Sequence, residues 1–416
     1  MLARLRLDSL ERKILFAALC SLVLAAYVLL ASTSYVAYHL ASSGEPRSLE
    51  KAVRLRPFNA DYRWQLGRYK FYVLGDAAAA VTDYEKAVAL NRFDSHYYLD
   101  YANALVNLNR DAETINAVQR AILLDPTTPR TNWEAGNLYL VAGDTEAALH
   151  RFRVILEQEG ETPEYPVLPL CWRVTRDPDL IIREALPPRA GAYLRFLQLL
   201  MKENNSQPAA TTWQALTRLQ QSFEPKLAFP YFNYLIAHKD VAGASQVWSY
   251  LTSSALSGYA RSDNLIVNGD FEKPLLNGGF DWRYRESNAV SLTMDNDRFQ
   301  SGRESLNISM HGVAADLGVA QLVPVDPATA YDFGAYVKAE NIQGANGPQF
   351  QVQDAYSDQS LLLTDDLNGT FNWREVSGEF HTGPDTRLVL LRMVRLPGNT
   401  HVRGRLWIDD VSIRRK

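Results

Sequence analysis

The pattern of hydrophobic and polar residues divides this chain of 416 residues into stretches with different periods. Near the N-terminus, Ile14 to Leu40 contains no Asp, Glu, Lys or Arg. From about residue 48, apolar residues recur every three or four positions, as on the buried face of amphipathic helices. From Asn264 onward, apolar residues alternate with polar ones, which is typical of half-buried strands. The chain therefore combines an apolar segment, a helical region and a strand-rich region.

The charge-free stretch is long enough to cross a bilayer, because about 1.5 Å of rise per residue covers a hydrocarbon core of roughly 30 Å. We predict an uncleaved transmembrane signal anchor over residues 14–38. Residues 41–45 contain no positive charge, which predicts a cytoplasmic N-terminus over residues 1–13 and an extracytoplasmic bulk, periplasmic in a bacterium. The basic residues that precede the stretch are Arg4, Arg6, Arg12 and Lys13. A cleaved signal peptide is the alternative.

A sequence motif then recurs with a period near 34 residues. Lys51-Ala-Val-Arg-Leu-Arg-Pro57 returns 35 residues later at Lys86, and again 34 residues after that at Arg120. Two further sets keep the same phase: the small residues Gly67, Ala102 and Gly136, and the larger residues Tyr84, Val118 and Phe152. The small residues allow the second helix of a pair to approach the first closely. Since one pair cannot bury its apolar face alone, the pairs must stack.

This pattern resembles the tetratricopeptide repeat family over roughly residues 48–158. The resemblance implies helix-turn-helix units, which we predict over residues 45–160, and a concave groove that binds a protein partner. The candidate groove residues are Arg68, Phe71, Tyr72, Asn103, Asn107 and Asn137. The alternative is that these residues occupy ordinary packing or solvated positions.

The repeat weakens after Glu159, where prolines break the chain into short pieces; they are Pro163, Pro166, Pro169, Pro178, Pro187 and Pro188. The period then returns faintly, with Trp213 and Trp248 35 residues apart. We predict degenerate helical repeats over residues 161–262, with two helix pairs from about residue 190.

Residues 263–416 contain about nine or ten short alternating runs, separated by turns rich in Gly, Asn and Pro, which predicts an antiparallel β-sandwich. The frame begins with Asn264-Leu-Ile-Val-Asn-Gly-Asp-Phe-Glu272 and ends with Trp407-Ile-Asp-Asp-Val-Ser-Ile413. This frame resembles the carbohydrate-binding-module jelly rolls of the galactose-binding-like class. Within it, Phe271, Trp282 and Trp373 are expected in the core. The fold class is thus multidomain α plus β: a transmembrane helix, an α-solenoid and a C-terminal jelly roll.

A sugar site needs aromatic and polar side chains on one exposed face. If Tyr331, Phe333 and Val337 point inward, Tyr336 points to the opposite face. If Phe350 and Val352 point inward, the glutamines beside them share that opposite face. These considerations predict a glycan site formed by Tyr336, Gln351, Gln353, Tyr356 and Arg392.

The resemblance also implies a structural calcium ion that joins the first and last strands. Glu272 and Asp409 occupy the matching positions, and Asp410 and Asp270 lie beside them. Calcium prefers several hard oxygen ligands, which clustered carboxylates could supply. The alternative is an exposed pair of acids at strand ends.

Composition narrows the functional classes. A net charge of −4 and a pI near 6.0 argue against nucleic acid as a partner. Of the two cysteines, Cys20 lies in the predicted span, so a disulfide with Cys171 is implausible. The chain has no Gly-x-Ser-x-Gly elbow, phosphate-binding glycine loop or His-Glu-x-x-His motif, and we expect no enzyme activity.

Together these features predict a membrane-anchored extracytoplasmic adaptor in cell-envelope or exopolysaccharide assembly. Its repeats would bind a protein partner and its sandwich a polysaccharide. One alternative is an assembly scaffold with a structural or protein-binding sandwich and no sugar affinity. Another is a polysaccharide-modifying enzyme, for which the candidate acids are Asp365, Asp366, Glu375 and Glu379.

Overall fold

The computed structural model describes residues 9–158, 164–260 and 262–416, so Arg4, Arg6 and Pro163 lie outside the described residues. The chain divides into two compact units, Met1–Pro188 and Arg189–Lys416. This boundary falls inside the range 161–262 that the sequence groups as degenerate repeats. The predicted fold class is confirmed, with helices throughout the N-terminal region and two antiparallel sheets at the C-terminal end.

Ten α-helices are described in the first unit. They are α1 (Leu10–Ser42), α2 (Pro46–Leu55), α3 (Ala60–Arg68), α4 (Ala77–Leu90), α5 (Ser95–Val106), α6 (Asp111–Leu124), α7 (Pro129–Val141), α8 (Thr145–Gln158), α9 (Val167–Thr175) and α10 (Pro178–Glu184). A π-helical turn, Tyr69–Val73, extends α3. From α1 to α8, short turns join successive helices, so each packs antiparallel to the next, as the repeat predicts.

The first helix, α1, is long and apolar enough to cross a membrane, a property that N-terminal signal sequences share. Its side chains from Leu10 to Ser32 are exposed. Only one strip near its C-terminal end is covered, with Thr33 and Ser34 half-buried and Ala37 and Ala41 buried. These alanines pack in one cluster with Leu49, Ala52 and Val53 of α2. The first helix pair therefore joins the apolar segment directly to the solenoid.

The small residues of the repeat lie where two helices of a pair meet. A Cβ atom on Gly67 of α3 would lie 2.8 Å from Cε1 of Tyr84 in α4, and one on Gly136 of α7 would lie 2.8 Å from Cζ of Phe152 in α8. The predicted close approach is thus confirmed. The turns are left-handed, as expected for helix ends, with φ of 70° at Gly75 and 55° at Asn109.

The second unit begins with two helix pairs, α11 (Ala190–Lys202) with α12 (Ser206–Arg218), and α13 (Phe229–Ala237) with α14 (Val241–Ser254). Ten strands follow. They are β1 (Arg283–Tyr284), β2 (Val290–Asp295), β3 (Ser305–Val313), β4 (Asp316–Pro324), β5 (Ala330–Gly344), β6 (Gln349–Asp354), β7 (Ser360–Leu363), β8 (Gly369–His381), β9 (Leu388–Val394) and β10 (His401–Arg415).

The strands form two five-stranded antiparallel sheets that pack face to face. One sheet has the order β1-β4-β9-β6-β7, here called sheet A, and the other β2-β3-β10-β5-β8, here called sheet B. Phe333 of sheet B meets Phe350 of sheet A with ring centroids 5.1 Å apart, between the sheets. The inward-facing set is confirmed, since Tyr331, Phe333, Val337, Phe350 and Val352 are all buried.

Two of the three aromatic residues predicted for the core lie there. Phe271 and Trp282 are buried and stack with ring centroids 5.1 Å apart. Trp373 is only half-buried, because it lies on β8, the last strand of sheet B, which has a neighbouring strand on one side only. The expectation that it belongs to the core was wrong in this respect.

The loop before β1 joins the sandwich to the helix pairs of the same unit. Phe280 packs edge-on against Phe232 of α13, 4.6 Å between ring centroids, and against Trp248 of α14 at 6.1 Å. Added Cβ atoms on Gly278 and Gly279 would collide with Phe229 and Trp248. The loop therefore fits so closely against α13 and α14 that only glycine is accommodated there.

Candidate functional site

Three consecutive first helices, α3, α5 and α7, line a cavity of about 440 Å³, here called the repeat groove. Its aromatic side chains are Trp64, Tyr72 and Trp133, and its charged side chains include Arg68, Asp100, Arg130 and Glu134. Mixed aromatic and charged linings of this kind suit a polar or peptidic ligand. The groove lies at the position that the repeat resemblance implies for a partner site.

Asp100 organises the wall of the repeat groove. Its carboxylate accepts hydrogen bonds from Nε1 of Trp64 at 2.7 Å and from the Tyr72 hydroxyl at 3.2 Å. Nε of Arg68 lies 3.6 Å away, and its guanidinium sits 4.9 Å above the Trp64 ring. Burial raises the pKa of Asp100 above its usual value, while these donors oppose the rise. The three partners thus hold a half-buried carboxylate and fix their own orientations.

Four of the six predicted groove residues line the cavity: Arg68, Tyr72, Asn103 and Asn137. The other two do not line it. The ring of Phe71 packs edge-on against Tyr72, with centroids 4.9 Å apart. Asn107 lies at the end of α5, where its Nδ2 donates to the carbonyl of Asn103 at 2.8 Å. These two residues therefore support lining residues instead of facing a ligand directly.

The acidic side chains of the groove were not among the residues predicted from the sequence. Gln65, Asp100 and Glu134 occupy equivalent positions, one residue after the aligned set Trp64, Leu99 and Trp133. The same repeat phase that gave Arg68, Asn103 and Asn137 could have identified this neighbouring column. The two tryptophans are half-buried and line the groove, so they also contribute to its surface.

The predicted glycan residues do not share a face. Gln351 and Gln353 of β6 and Arg392 of β9 lie on the outer side of sheet A, whereas Tyr336 of β5 lies on the outer side of sheet B. The prediction of a common face was wrong, because alternation along a strand tells inside from outside but does not tell which sheet the strand joins.

The polar groups on sheet A bond to one another. Nε of Arg392 donates to Oε1 of Gln351 at 3.0 Å, and Nε2 of Gln353 donates to Oδ1 of Asp358 at 3.0 Å. Gln351 and Gln353 are also buried. A ligand would have to displace these bonds to use the side chains.

Tyr356 is a contact between the sandwich and a helix. Its hydroxyl donates to the carbonyl of Ile236 at the end of α13, at 2.9 Å, and Lys239 Nζ lies 5.5 Å from its ring centroid. Burial raises the pKa of this tyrosine. The prediction that Tyr356 belongs to the glycan site was therefore wrong, because its hydroxyl bonds to a helix of the same unit.

Tyr336 faces a different cavity on sheet B, of about 510 Å³, here called the sandwich groove. Its charged lining residues are Asp270, Lys273, Glu375, Asp410 and Arg414. Tyr336 pairs with Glu375 of β8 and with Asp409 of β10 across the sheet. An aromatic side chain with charged neighbours is a suitable surface for a sugar, whose rings stack and whose hydroxyls form hydrogen bonds.

The predicted calcium residues meet around one loop. Glu272 accepts from the backbone N–H groups of Arg303 and Glu304, and Asp409 accepts from those of Gln300 and Ser301. The Ser301 hydroxyl donates to Asp410 at 2.8 Å. Within the described ranges, no three His, Cys, Asp or Glu side chains are grouped to hold a metal ion. The carboxylates thus fit calcium only in part, and the calcium ion stays a prediction.

The acids considered for an enzyme are spread over the sandwich. Glu375 lines the sandwich groove, while Glu379 on the same strand pairs with Lys416. Asp365 and Asp366 lie in the loop between β7 and β8. The structure thus does not group these four acids around one site.

Residues 263–394 match the family model of a carbohydrate binding domain. The C-terminal resemblance is thereby confirmed. No curated protein matches the chain.

Several solved structures share parts of the architecture. A CBM4 module is 14% identical, with a TM-score of 0.29, over 36% of this chain and 99% of its own. The module TmCBM61, solved with β-1,4-galactotriose, is 17% identical, with a TM-score of 0.27, over 38% of this chain and 100% of its own. MamA is 16% identical, with a TM-score of 0.27, over 42% of this chain and 85% of its own. Because these TM-scores are low, the fold assignment rests on the helix pairs and sheets described above.

Proposed function

We propose that this protein is a membrane-anchored scaffold in which the repeat groove binds a protein segment and the sandwich binds a glycan, with a role in cell-envelope or exopolysaccharide assembly. The observation that carries the proposal is the match of residues 263–394 to a carbohydrate binding domain, in a chain that also has a repeat groove of about 440 Å³. In this proposal α1 spans the membrane, and the bulk of the chain is extracytoplasmic. The protein acts by binding, without catalysis.

The repeat groove is suited to an extended peptide. Nδ2 of Asn103 donates to the Tyr72 hydroxyl at 3.2 Å, and Nδ2 of Asn137 donates to the carbonyl of Trp133 at 2.8 Å. These bonds orient both amides and leave their Oδ1 atoms as acceptors. Because the two residues are one repeat apart, they can accept hydrogen bonds from backbone N–H groups a few residues apart in one extended segment, while Trp133 supplies apolar contact.

The sandwich groove is the favoured glycan site. Tyr336 supplies the aromatic side chain, and Glu375 and Arg414 supply an acceptor and a donor beside it. The opposite face is a weaker choice, since Arg392 and Gln351 there bond to each other. Glycan specificity would then follow from which hydroxyl groups reach the charged residues around Tyr336.

The test compares two tyrosines on opposite sheets in the full chain. Glycan-array binding and calorimetry with the best ligand are measured for wild type, Tyr336→Ala and Tyr284→Ala. Tyr284 lies on β1 of sheet A and is 39% exposed. An aromatic contact contributes about 0.5–1.5 kcal/mol beyond its buried area. This part alone weakens binding of Tyr336→Ala about twofold to tenfold, and the lost buried area adds to it. Tyr284→Ala should bind like wild type.

Two results would contradict the glycan proposal. If the folded wild-type protein binds no glycan, the sandwich has no sugar affinity. If Arg392→Ala abolishes binding while Tyr336→Ala does not, the ligand lies on sheet A and not in the sandwich groove. Circular dichroism of each variant keeps loss of folding separate from loss of binding.

A structural sandwich is the second candidate function. The observation that favours it is the attachment of the sandwich to its own helices, through Phe280 between Phe232 and Trp248 and through the bond from Tyr356 to Ile236. A domain with this role would extend the scaffold and would bind no sugar. The glycan measurement above decides between the two.

A further inference from the structure

Two phenylalanines at equivalent positions of the first repeats point into solvent. Phe58 is 86% exposed and Phe93 is 82% exposed, and they lie in the loops that follow α2 and α4. Each stands next to basic residues, with Arg56 close to the first and Arg92 directly before the second. Large apolar side chains exposed at recurring positions indicate a surface that contacts something else.

The position along α1 of the loop with Phe58 indicates which kind of surface the exposed phenylalanines contact. Helix α2 returns antiparallel to α1, and its ten residues cover about 14 Å. The covered strip on α1 runs over the same length, from Ala41 back to Thr33 and Ser34. The loop with Phe58 therefore lies level with the polar end, Ser32 to Ser34, of the apolar part of α1. If α1 spans a bilayer, that level is the headgroup layer.

The alternation of helices places the second loop on the same edge. Helix α3 runs away from this edge and α4 returns to it, so Phe93 lies one repeat further along the edge that carries Phe58. The next loop on this edge, residues 125–128, carries Asp125, Pro126 and two threonines in place of Arg and Phe. The basic and aromatic character is thus confined to the two repeats nearest to α1.

The opposite edge has a different chemistry. Its turns lead into α4, α6 and α8, and each contains an acid: Asp76, Asp111 and Asp144. Acids are not confined to that edge, because Asp94 and Asp125 lie on the edge with Phe58. The two edges therefore differ in their exposed phenyl rings and not in the sign of their charge.

We propose that the edge formed by Arg56, Phe58, Arg92 and Phe93 lies in the headgroup layer of the membrane that α1 spans. The phenyl rings enter the boundary of the acyl chains, and the guanidinium groups pair with lipid phosphates. With α1 as one point of attachment and this edge as a second, the first repeats are held against the bilayer at a fixed orientation. This inference rests on the proposed membrane span.

The experiment measures the depth of single spin labels in the full chain, reconstituted in nanodiscs of phosphatidylethanolamine and phosphatidylglycerol. In a background of Cys20→Ala and Cys171→Ala, labels are placed singly by Phe58→Cys, Phe93→Cys and Leu74→Cys. Leu74 is the matched control, because it is apolar, 60% exposed and located on the opposite edge. A fourth label, from Leu22→Cys in the middle of α1, reports the span itself.

For each label, the collision rate with oxygen is divided by the collision rate with a water-soluble nickel reagent. We expect this ratio to be several-fold higher at 58 and 93 than at 74. Each labelled variant retains the other phenylalanine, so the edge can still bind. Circular dichroism checks that the folded structure is kept, and since Phe58 and Phe93 are exposed, their replacement leaves the core intact.

The outcomes separate the inference from the proposed function. If the label at 22 is in lipid while those at 58 and 93 are as aqueous as the label at 74, the inference is overturned and the span stands. If the label at 22 is aqueous, the span is refuted and the inference with it. Shielding of 58 and 93 from both reagents indicates a protein contact and also overturns the inference, as does a lipid-like result at 74.

Discussion

The pairing of a small residue with a large one inside each repeat gives a quantitative prediction. Gly67 faces Tyr84 and Gly136 faces Phe152, whereas the middle repeat has Ala102 and the smaller Val118 at the equivalent positions. In Gly136→Ala the new Cβ would lie within 2.9 Å of three atoms of the Phe152 ring, and both Gly136 and Phe152 are buried. The methyl group cannot fit unless the helices move apart.

Two opposing effects set the size of the change. Alanine gains about 1 kcal/mol of helix propensity over glycine, while overpacking a core costs about 1–3 kcal/mol. Because three ring atoms are in conflict, we expect an overpacking cost at the upper end of this range, about 3 kcal/mol. After the gain in helix propensity, the net loss of stability is about 2 kcal/mol. Gly191→Ala in α11 is the matched control. No atom lies within 4 Å of its Cβ position, so this change should stabilise its helix by up to about 1 kcal/mol.

Hydrogen exchange followed by mass spectrometry on the full chain in detergent measures each helix separately. A loss of about 2 kcal/mol in α7 and α8 corresponds to roughly 30-fold faster exchange of their most protected amides, since 1.36 kcal/mol is tenfold. The double variant Gly136→Ala with Phe152→Val recreates the pair of the middle repeat. The double variant should lose about 1–3 kcal/mol less stability than the two single variants lose in sum. Additive effects, or unchanged exchange in Gly136→Ala, would refute the packing argument.

Three further predictions concern the second unit. Burial raises the pKa of Asp281 and of Asp409 to about 6, so each carboxyl keeps its proton in the folded state at pH values where the unfolded chain has lost it. The free energy of unfolding should therefore fall as pH rises from about 4 to 6. In thermal melts, Asp281→Asn should remove a large part of this fall. An unchanged pH dependence in this variant would contradict the raised pKa of Asp281. Phe280→Ala should destabilise the attachment of the sandwich to α13 and α14 by about 3–5 kcal/mol, which a lower melting temperature would report. A change of less than about 1 kcal/mol would show that the ring contributes little to this attachment. If calcium binds at Glu272 and Asp409, EGTA should lower the melting temperature of the wild type but not of Glu272→Gln, and an unchanged wild-type melt would exclude the ion.

Local sequence patterns predicted much of the fold. The repeat phase located the helix pairs and placed the small residues where helices meet, because a helix pair that stacks on a copy of itself needs the same residue types at the same spacing. The alternation in the C-terminal part identified the inward residues of β5 and β6, since side chains of a strand alternate between its two faces. Both kinds of pattern depend on neighbours in sequence.

The repeat groove was predicted in outline only. Arg68 and Asn103 were found because their positions recur, but Asp100 acquires its importance from three donors that converge on it from α3 and the turn after it. Nothing within α5 itself indicates that this carboxylate is half-buried and bonded on several sides. The convergence of side chains from separate helices exists only once the helices are stacked.

The sandwich shows most clearly what the sequence by itself determined and what was left to the tertiary structure. The sequence determined that Tyr336 and Gln351 both point outward. Only the tertiary structure decided that they belong to different sheets, and that Tyr356 bonds to Ile236 of α13. The physical reason is that the direction of a side chain follows from the local backbone, whereas the partners of a strand are chosen by hydrogen bonds and packing between residues that are distant in sequence.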